Sequence, residues 1–298
     1  MQPDSKRRSQ QRRLVIGASG YVGREIMASS FCAGIDAVGA VRTASATSAD
    51  HVALASAADL DELLAAQHFD QIVTLPQLSL ADIDWILDRI DGDRWLVFSS
   101  AQLGSNIDAP GSEISKVRER LAVVRGAVVL RPTMIYGRGG DGNISRTIRQ
   151  LHRTRVPIQV GDGAQLVQPI HVDDVTALVD AHLQIASAGL LDARCGTRAA
   201  GRTFPVGGPE AVPTRELMVM LSELLGLRVP PLTVRSSWLD RAASVAPLFR
   251  LRSDQIRRLL EDKTIDDGGT KETFGWEPTA LAHRLEQAVA EALGVLVS

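Results

Sequence analysis

Short apolar runs and amphipathic stretches alternate along the first half of the chain. "RLVIG" reads as a buried strand, and "YVGREIMASSFCAG" follows with helical spacing and a stop at Gly34. "DAVGAVR" predicts a second strand, "DLDELLAAQ" a short amphipathic helix and "QIVTLP" a third strand. "LADIDWILDRI" sets its apolar residues on one helical stripe. "RWLVFSS" is a fourth strand, "SEISKVRERLAVV" is helical and "AVVLRPTMIYG" is a fifth strand. Strands this apolar have no face for water, and their alternation with helices makes consecutive strands parallel. Right-handed crossovers then predict an α/β fold with a Rossmann-type doubly wound parallel sheet.

The rhythm breaks after Tyr136. "GRGGDGN" is a glycine-rich loop that no regular element holds, and a basic helix follows at about 143–154. "VPIQVGDG" reads as a strand and turn. "QPIHVDDVTALVDAHLQIA" reads as a strand end leading into a helix capped by Asp173 or Asp174, the other acid being an ion-pair partner. "RTFPVGGPEAVPTRELMVMLSELLGL" predicts strand, turn and helix with Thr214 as N-cap, and the last eighty residues read as short helices and loops. The expected organisation is a disordered basic tail at 1–11 and a dinucleotide-binding domain at 12–200, which contributes part of a cleft at about 138–168. A smaller, mostly helical substrate domain follows at 201–298, interleaved with the last sheet strand.

Composition narrows the function. The chain has 298 residues, is 45% hydrophobic and carries a net charge of −2, so no overall basic field argues for nucleic acid or a membrane surface. The start, "MQPDSKRRSQQRR", is basic but lacks the apolar core of a signal peptide, and no apolar run suggests a membrane span. Cys32 and Cys195 stand in no metal or redox spacing and read as buried free thiols of a cytoplasmic protein. No cluster of His, Cys and acid has metal spacing.

The stretch "LVIGASGYVGREI" carries the chemistry. Gly17, Gly20 and Gly23 follow a strand and open a helix. Gly17 permits the tight turn, Gly20 lets the backbone approach a pyrophosphate, and Gly23 lets helix pack on strand. The helix N-terminus then offers N–H groups to the phosphates. An NAD site usually places an acid at the end of the second strand to accept the ribose 2′-hydroxyl. Here "VGAVRT" ends with Arg42 and no acid follows until Asp50, which favours NADP over NAD through pairing with a 2′-phosphate. A solvated strand-end arginine is the plainer reading of Arg42.

With "VFSS", "LRPTMIYGRGGDGN", "QPIHVDDVTALVDA" and "FPVGGPEAVPTRELMVML" beside the G-x-x-G-x-x-G spacing, the chain resembles the extended short-chain dehydrogenases/reductases. That is the NAD-dependent epimerase/dehydratase family, which acts mostly on nucleotide sugars, and the resemblance runs from about 12 to 290. It implies a Rossmann domain, a small C-terminal domain, substrate between them and hydride transfer at a nicotinamide. Gly17, Ser19, Gly20, Tyr21, Val22 and Gly23 would line the pyrophosphate and adenosine side. Arg42 would sit by the adenine ribose, and Asp59 with Leu60 would match the adenine contact. Leu75 and Pro76 would lie beside the ribose, Ser99 and Ser100 near the nicotinamide, and Pro132 and Thr133 by the carboxamide. A homodimer through helices of the Rossmann domain is also implied.

The departures concern catalysis. The family sets a Ser or Thr after the fourth strand and a Tyr-x-x-x-Lys helix, whose Tyr moves the substrate proton. Lys116 stands where the lysine is expected, next to cofactor and substrate, but Ser112 replaces the Tyr and Ala101 replaces the hydroxyl residue. A serine hydroxyl is shorter than a phenol and a poorer proton shuttle. The proton would come from water or through Ser100 or Ser112, aided by Lys116. Val167 stands where the family often has a phosphate-gripping Arg, leaving Arg138, Arg146 and Arg149 as the nearest candidates. Asn143 is a candidate substrate contact or a helix N-cap, Tyr136 an alternative acid/base, and His171 a buried hydrogen-bonded residue. Trp238 and Phe249 line either core or pocket.

The sequence thus supports two readings. One is an NADP(H)- or NAD(H)-dependent oxidoreductase or epimerase on a nucleotide-sugar or other small carbonyl substrate, with a non-standard active site. The other is a dinucleotide-binding protein, weak or inactive in catalysis, acting as redox sensor or structural partner.

Overall fold

The computed structural model describes residues 11–42, 50–77, 83–104, 111–190, 201–228, 232–234 and 261–295. Most of the basic tail, Cys195, Trp238 and Phe249 lie outside these residues.

Strands β1 (Arg12–Ile16), β2 (Asp36–Val41), β3 (His51–Ala53), β4 (Gln71–Thr74), β5 (Trp95–Phe98), β6 (Val128–Pro132) and β11 (Arg202–Val206) form one sheet. The order is β11-β6-β5-β4-β1-β2-β3, and every neighbour pair is parallel. This is the doubly wound sheet that the apolar strands predict. The first crossover, helix α1 (Tyr21–Cys32), leads from β1 to β2, whereas β4 returns to the other side of β1. The sheet therefore changes winding direction between β1 and β4, where ligand crevices of such sheets open at the carboxyl ends of the strands.

Each face of the sheet has its own core. Val15, Ala18, Val73, Leu96 and Leu130 pack with α6 (Val172–Ser187) on one side. Leu14, Ile16, Ile72, Trp95, Val97 and Val129 pack on the other, beneath α2 (Ala57–Ala66), α3 (Asp84–Leu87) and α4 (Ser112–Val124). A third cluster joins Tyr136, which ends β7 (Ile135–Tyr136), with Ile144, Ile148 and Leu151 of α5 (Ile144–Thr154). Its other members include Leu217 and Leu221 of α7 (Thr214–Leu224) and Leu281, Leu285 and Ala288 of α9 (Leu281–Leu293). Short strand pairs, β10 (Ile170–His171) with β7, β12 (Val212–Pro213) with β9 (Leu166–Val167), and β13 (Leu232–Val234) with β8 (Ile158–Val160), flank this cluster. Helix α8 (Gly268–Phe274) packs against β11 and α6.

Local expectations fail in instructive places. Strand β3 went unread because His-Val-Ala is too short to show alternation. The described helix near 80–90 is one turn, Asp84–Leu87. Pro213, not Thr214, precedes the first turn of α7. The cap of α6 is His171, whose Nδ1 accepts the Asp173 N–H at 3.2 Å, so neither Asp173 nor Asp174 caps it. Cys32 is exposed rather than buried, because it ends α1 on the solvent side of the helix. Arg13, inside central strand β1, is fully buried, its guanidinium spent on Gln71 Oε1 (2.6 Å), Ser30 Oγ (2.6 Å) and Asp180 Oδ1 (2.7 Å).

Candidate dinucleotide site

The glycine loop spans the crevice between β1 and β4. Gly17 has φ +94°, and the N–H groups of Gly17 and Ala18 both reach the Ala40 carbonyl, at 3.0 and 3.3 Å. The loop is thereby fastened to β2, and Gly20 N–H closes a turn on Gly17 O at 3.0 Å. A Cβ on Gly17 would lie 3.2 Å from both Leu75 and Pro76, which follow β4. One on Gly23 would strike Gly17 O at 2.3 Å and Ala18 Cα at 2.8 Å. Gly17 and Gly23 thus hold their places for steric reasons, and Leu75 and Pro76 form the opposite wall.

Helix α1 starts at this loop with an extended Gly20 as N-cap, no side-chain cap and no acid in its first turn. Ser56 and Asp59 make a capping box on α2 and His171 caps α6, whereas the remaining described helices share with α1 the lack of a side-chain cap, so what marks α1 is its place behind the glycine loop at the β1–β4 crevice. The N-terminus of α1 keeps its N–H groups and positive dipole end for an outside acceptor, which is the chemistry of a phosphate.

Arg42 directly follows β2. Asp59 Oδ2 accepts the N–H groups of Ala55 (2.8 Å) and Ser56 (2.9 Å), which holds its pKa below the usual carboxylate range. Leu60, inside α2, is wholly buried in the core and offers no surface to a ligand in this structure, unlike the adenine contact expected of it.

The other half of the crevice holds Ser99 and Ser100 beyond β5, and Pro132 and Thr133 at the end of β6. Ser99 donates its hydroxyl to Glu119 of α4, and both Glu119 oxygens take the Arg131 guanidinium. Ser100 Oγ accepts the Gln102 N–H at 3.2 Å, and Thr133 donates to the Gln168 carbonyl. Ser112 is the first, buried residue of α4. Lys116 Nζ lies 2.9 Å from Glu113 Oε1. The inward face of α4 carries Ser112, Ser115, Glu119 and Ala122. Glu119 and Arg131 were missed in the sequence, although Glu119 falls on the buried helical period.

Arg138 sits in the left-handed region, with its Nε 3.0 Å from Asp173 and 3.5 Å from Glu291, so its charge is spent within the protein. Burial pushes the pKa values of Asp173 and Glu291 up, but hydrogen bonds outweigh it and hold both below the usual range. Those bonds come from Arg138 and Gln287 to Asp173, and from the Arg138 N–H and Gln287 to Glu291, with the His171 ring 3.6 Å from each carboxylate adding to the effect. His171, Asp173 and Glu291 bring nitrogen and carboxylate oxygen atoms within 4.8 Å of one another, and the Arg138 guanidinium lies against both acids, with Arg284 also 3.2 Å from Asp173. Asn143 is exposed at the start of α5 without a side-chain cap bond, Arg146 is exposed, and Arg149 donates to Gly139 O at 2.9 Å. Tyr136 is buried, its ring edge-on to His171, and burial beside Asp174 raises its pKa, so it stays protonated.

No family model matches the chain. A curated bovine (Bos taurus) protein, short-chain dehydrogenase/reductase family 42E member 1, is 32% identical over 120 residues. That stretch is 39% of this chain and 29% of the relative, so the match spans less than a third of the relative's length. Among solved structures, dTDP-glucose 4,6-dehydratase from Bacillus anthracis, determined with NAD, aligns with TM-score 0.71 at 14% identity, covering 95% of this chain and 97% of that one. UDP-glucose 4-epimerase from Thermotoga maritima, determined with UDP-glucose, aligns with TM-score 0.67 at 15% identity, covering 95% and 99%. UDP-N-acetylglucosamine 4-epimerase from Bacillus cereus aligns with TM-score 0.69 at 14% identity, covering 95% and 98%. At these identities the likeness is one of fold.

Proposed function

We propose that this chain, an extended short-chain dehydrogenase/reductase by its fold, holds a nicotinamide dinucleotide across the β1–β4 crevice and acts on a nucleotide-sugar or other small carbonyl substrate. The observation that carries this is the uncapped N-terminus of α1, set behind the glycine loop by the sterically required Gly17 and Gly23 at the point where the sheet changes direction. The bound dinucleotide would supply or accept a hydride. Arg42, in the place of an acid, supports NADP, unlike the NAD found with the Bacillus anthracis dehydratase. The chain's own part is to hold the pyrophosphate on α1 and to move a proton at the substrate oxygen through Ser100 or Ser112, with Lys116 nearby on α4.

A second reading, binding without turnover, is favoured by the α4 face itself. It offers the short hydroxyl of Ser112 where a phenol is expected, and Lys116 is engaged by Glu113. A homodimer is part of the proposal. Ile114, Val117, Leu121 and Val124 leave 44%, 52%, 37% and 82% of their surface exposed along one stripe of α4, a pattern that suits helix–helix association. Among the described residues, no helix is long and apolar enough to cross a membrane. A cytoplasmic location is proposed with the function, and the free thiol of Cys32 suits a reducing compartment.

Titration with NADPH and NADH, followed by nicotinamide fluorescence, tests the binding claim. A panel of nucleotide sugars and small carbonyls offered to the tighter complex then separates enzyme from binding protein. Failure to bind either dinucleotide sinks the proposal.

A further inference from the structure

The side chain of Tyr21 reaches away from the loop that its own backbone helps to build. It is the first residue of α1, directly after Gly20, yet its hydroxyl donates to the Gly137 carbonyl at 2.9 Å. Its ring lies against Gly140 so closely that a Cβ there would stand 2.7 Å from Cδ2. Burial keeps this phenol protonated, with the carboxylates of Asp141, Glu25, Glu291 and Asp173 acting in the same direction, so it remains a donor.

The segment it grips behaves as one piece. Buried Asp141 accepts the N–H groups of Gly137 (3.1 Å), Asn143 (2.9 Å) and Ser145 (3.1 Å), and also the Ser145 hydroxyl. The Arg138 N–H is held by Glu291 of α9. Whatever fixes Tyr21 therefore fixes residues 137–145 together, including Arg138 and Asn143. Phosphates seated on the N-terminus of α1 would immobilise its first turn, where Tyr21 lies. Ordering one part of a protein in this way lowers the entropic cost of ordering what is attached to it.

We propose that Tyr21 is a positioning residue that couples dinucleotide binding at the glycine loop to the ordering of residues 137–145. The proposal rests on the dinucleotide reading above. By linkage, a ligand held by the 137–145 segment would tighten dinucleotide binding by the same factor.

Backbone hydrogen exchange of the full chain, with and without NADPH, tests it. NADPH is expected to slow exchange at 137–145 as well as in the glycine loop. In Tyr21→Phe, compared with the parent with both proteins saturated by NADPH, the added protection at 137–145 should fall by about fivefold or more, while the protection of the glycine loop itself persists. Gly140→Ala provides a second route, because its methyl group meets the Tyr21 ring from the 137–145 side and alters no residue of the glycine loop; the same loss is expected, and this variant decides if Tyr21→Phe does not fold. Protection confined to the glycine loop, or full 137–145 protection in both variants, overturns the coupling alone. Failure of the parent protein to bind NADPH overturns the dinucleotide reading and the coupling with it.

Discussion

Ser99 hands its hydroxyl proton to a hydrogen bond with Glu119, a carboxylate only 3% exposed that also takes the Arg131 guanidinium on both oxygens. The ends of β5 and β6 are thereby tied to α4 on the side of the crevice proposed for the nicotinamide. Removing one partner of a buried pair strands the other. Arg131 is 35% exposed and regains some water, so Glu119→Ala should cost less than a fully buried break, about 2 kcal/mol. Ser99→Ala should cost about 1 kcal/mol. Urea unfolding of both variants measures this, and equal stability of Glu119→Ala and parent would contradict it.

Gly23→Ala tests the glycine loop. Its Cβ would fall 2.3 Å from the Gly17 carbonyl, a backbone atom that cannot swing aside. The expected result is a loss of NADPH affinity of about tenfold or more, equivalent to about 1.4 kcal/mol. Fluorescence titration reads it directly.

Arg42→Ala should separate the two dinucleotides. If Arg42 pairs with a 2′-phosphate, NADPH affinity should drop about tenfold, with NADH affinity nearly unchanged. Equal losses for both would assign Arg42 a structural role.

His182 sets an acid limit on stability. Gln71 Nε2 donates to its Nδ1 at 2.7 Å, which leaves Nε2–H to donate to the Asp93 carbonyl at 3.0 Å. Burial is the main cause that lowers its pKa to about 4, and the Arg13 charge adds to it. The unfolded chain, with an ordinary histidine pKa near 6.5, takes up the proton first. Stability is therefore complete above that value and is lost as pH falls toward 4, by about 2 kcal/mol between pH 7 and pH 5. Thermal unfolding across that range, compared with His182→Gln, checks the sign.

The exposed stripe of α4 predicts the assembly state. Val117→Glu combined with Leu121→Glu places charge on exposed positions and should leave the monomer fold intact. Sedimentation should show a dimer for the parent and a monomer for the variant; a monomeric parent would remove the dimer from the proposal.

Local physics wrote much of this protein into its sequence. The parallel sheet was legible because β1, β4, β5 and β6 are too apolar to leave a wet face, and the glycine spacing was legible because its limits are local: Gly17 turns with a positive φ and Gly23 meets the Gly17 and Ala18 backbone of the same loop. The short β3 carried too few residues for a pattern, and the cap on α6 went to His171 because its ring nitrogen, not a nearby carboxylate, faces the Asp173 N–H.

Contacts between distant segments were decided only in the tertiary structure. Arg13 in a core strand is tolerable only because Gln71, Ser30 and Asp180 converge on it from three other elements. Arg138 looked free to grip a substrate until α6 and α9 brought Asp173 and Glu291 to its guanidinium. Tyr21 belongs to the glycine motif by sequence, yet its hydroxyl bonds Gly137, 116 residues away. Apolar periodicity and backbone sterics act over a few residues and can be read along the chain. The partner of a buried charge or hydroxyl depends on which elements the fold brings together, and that is determined only when the sheet closes and its helices pack.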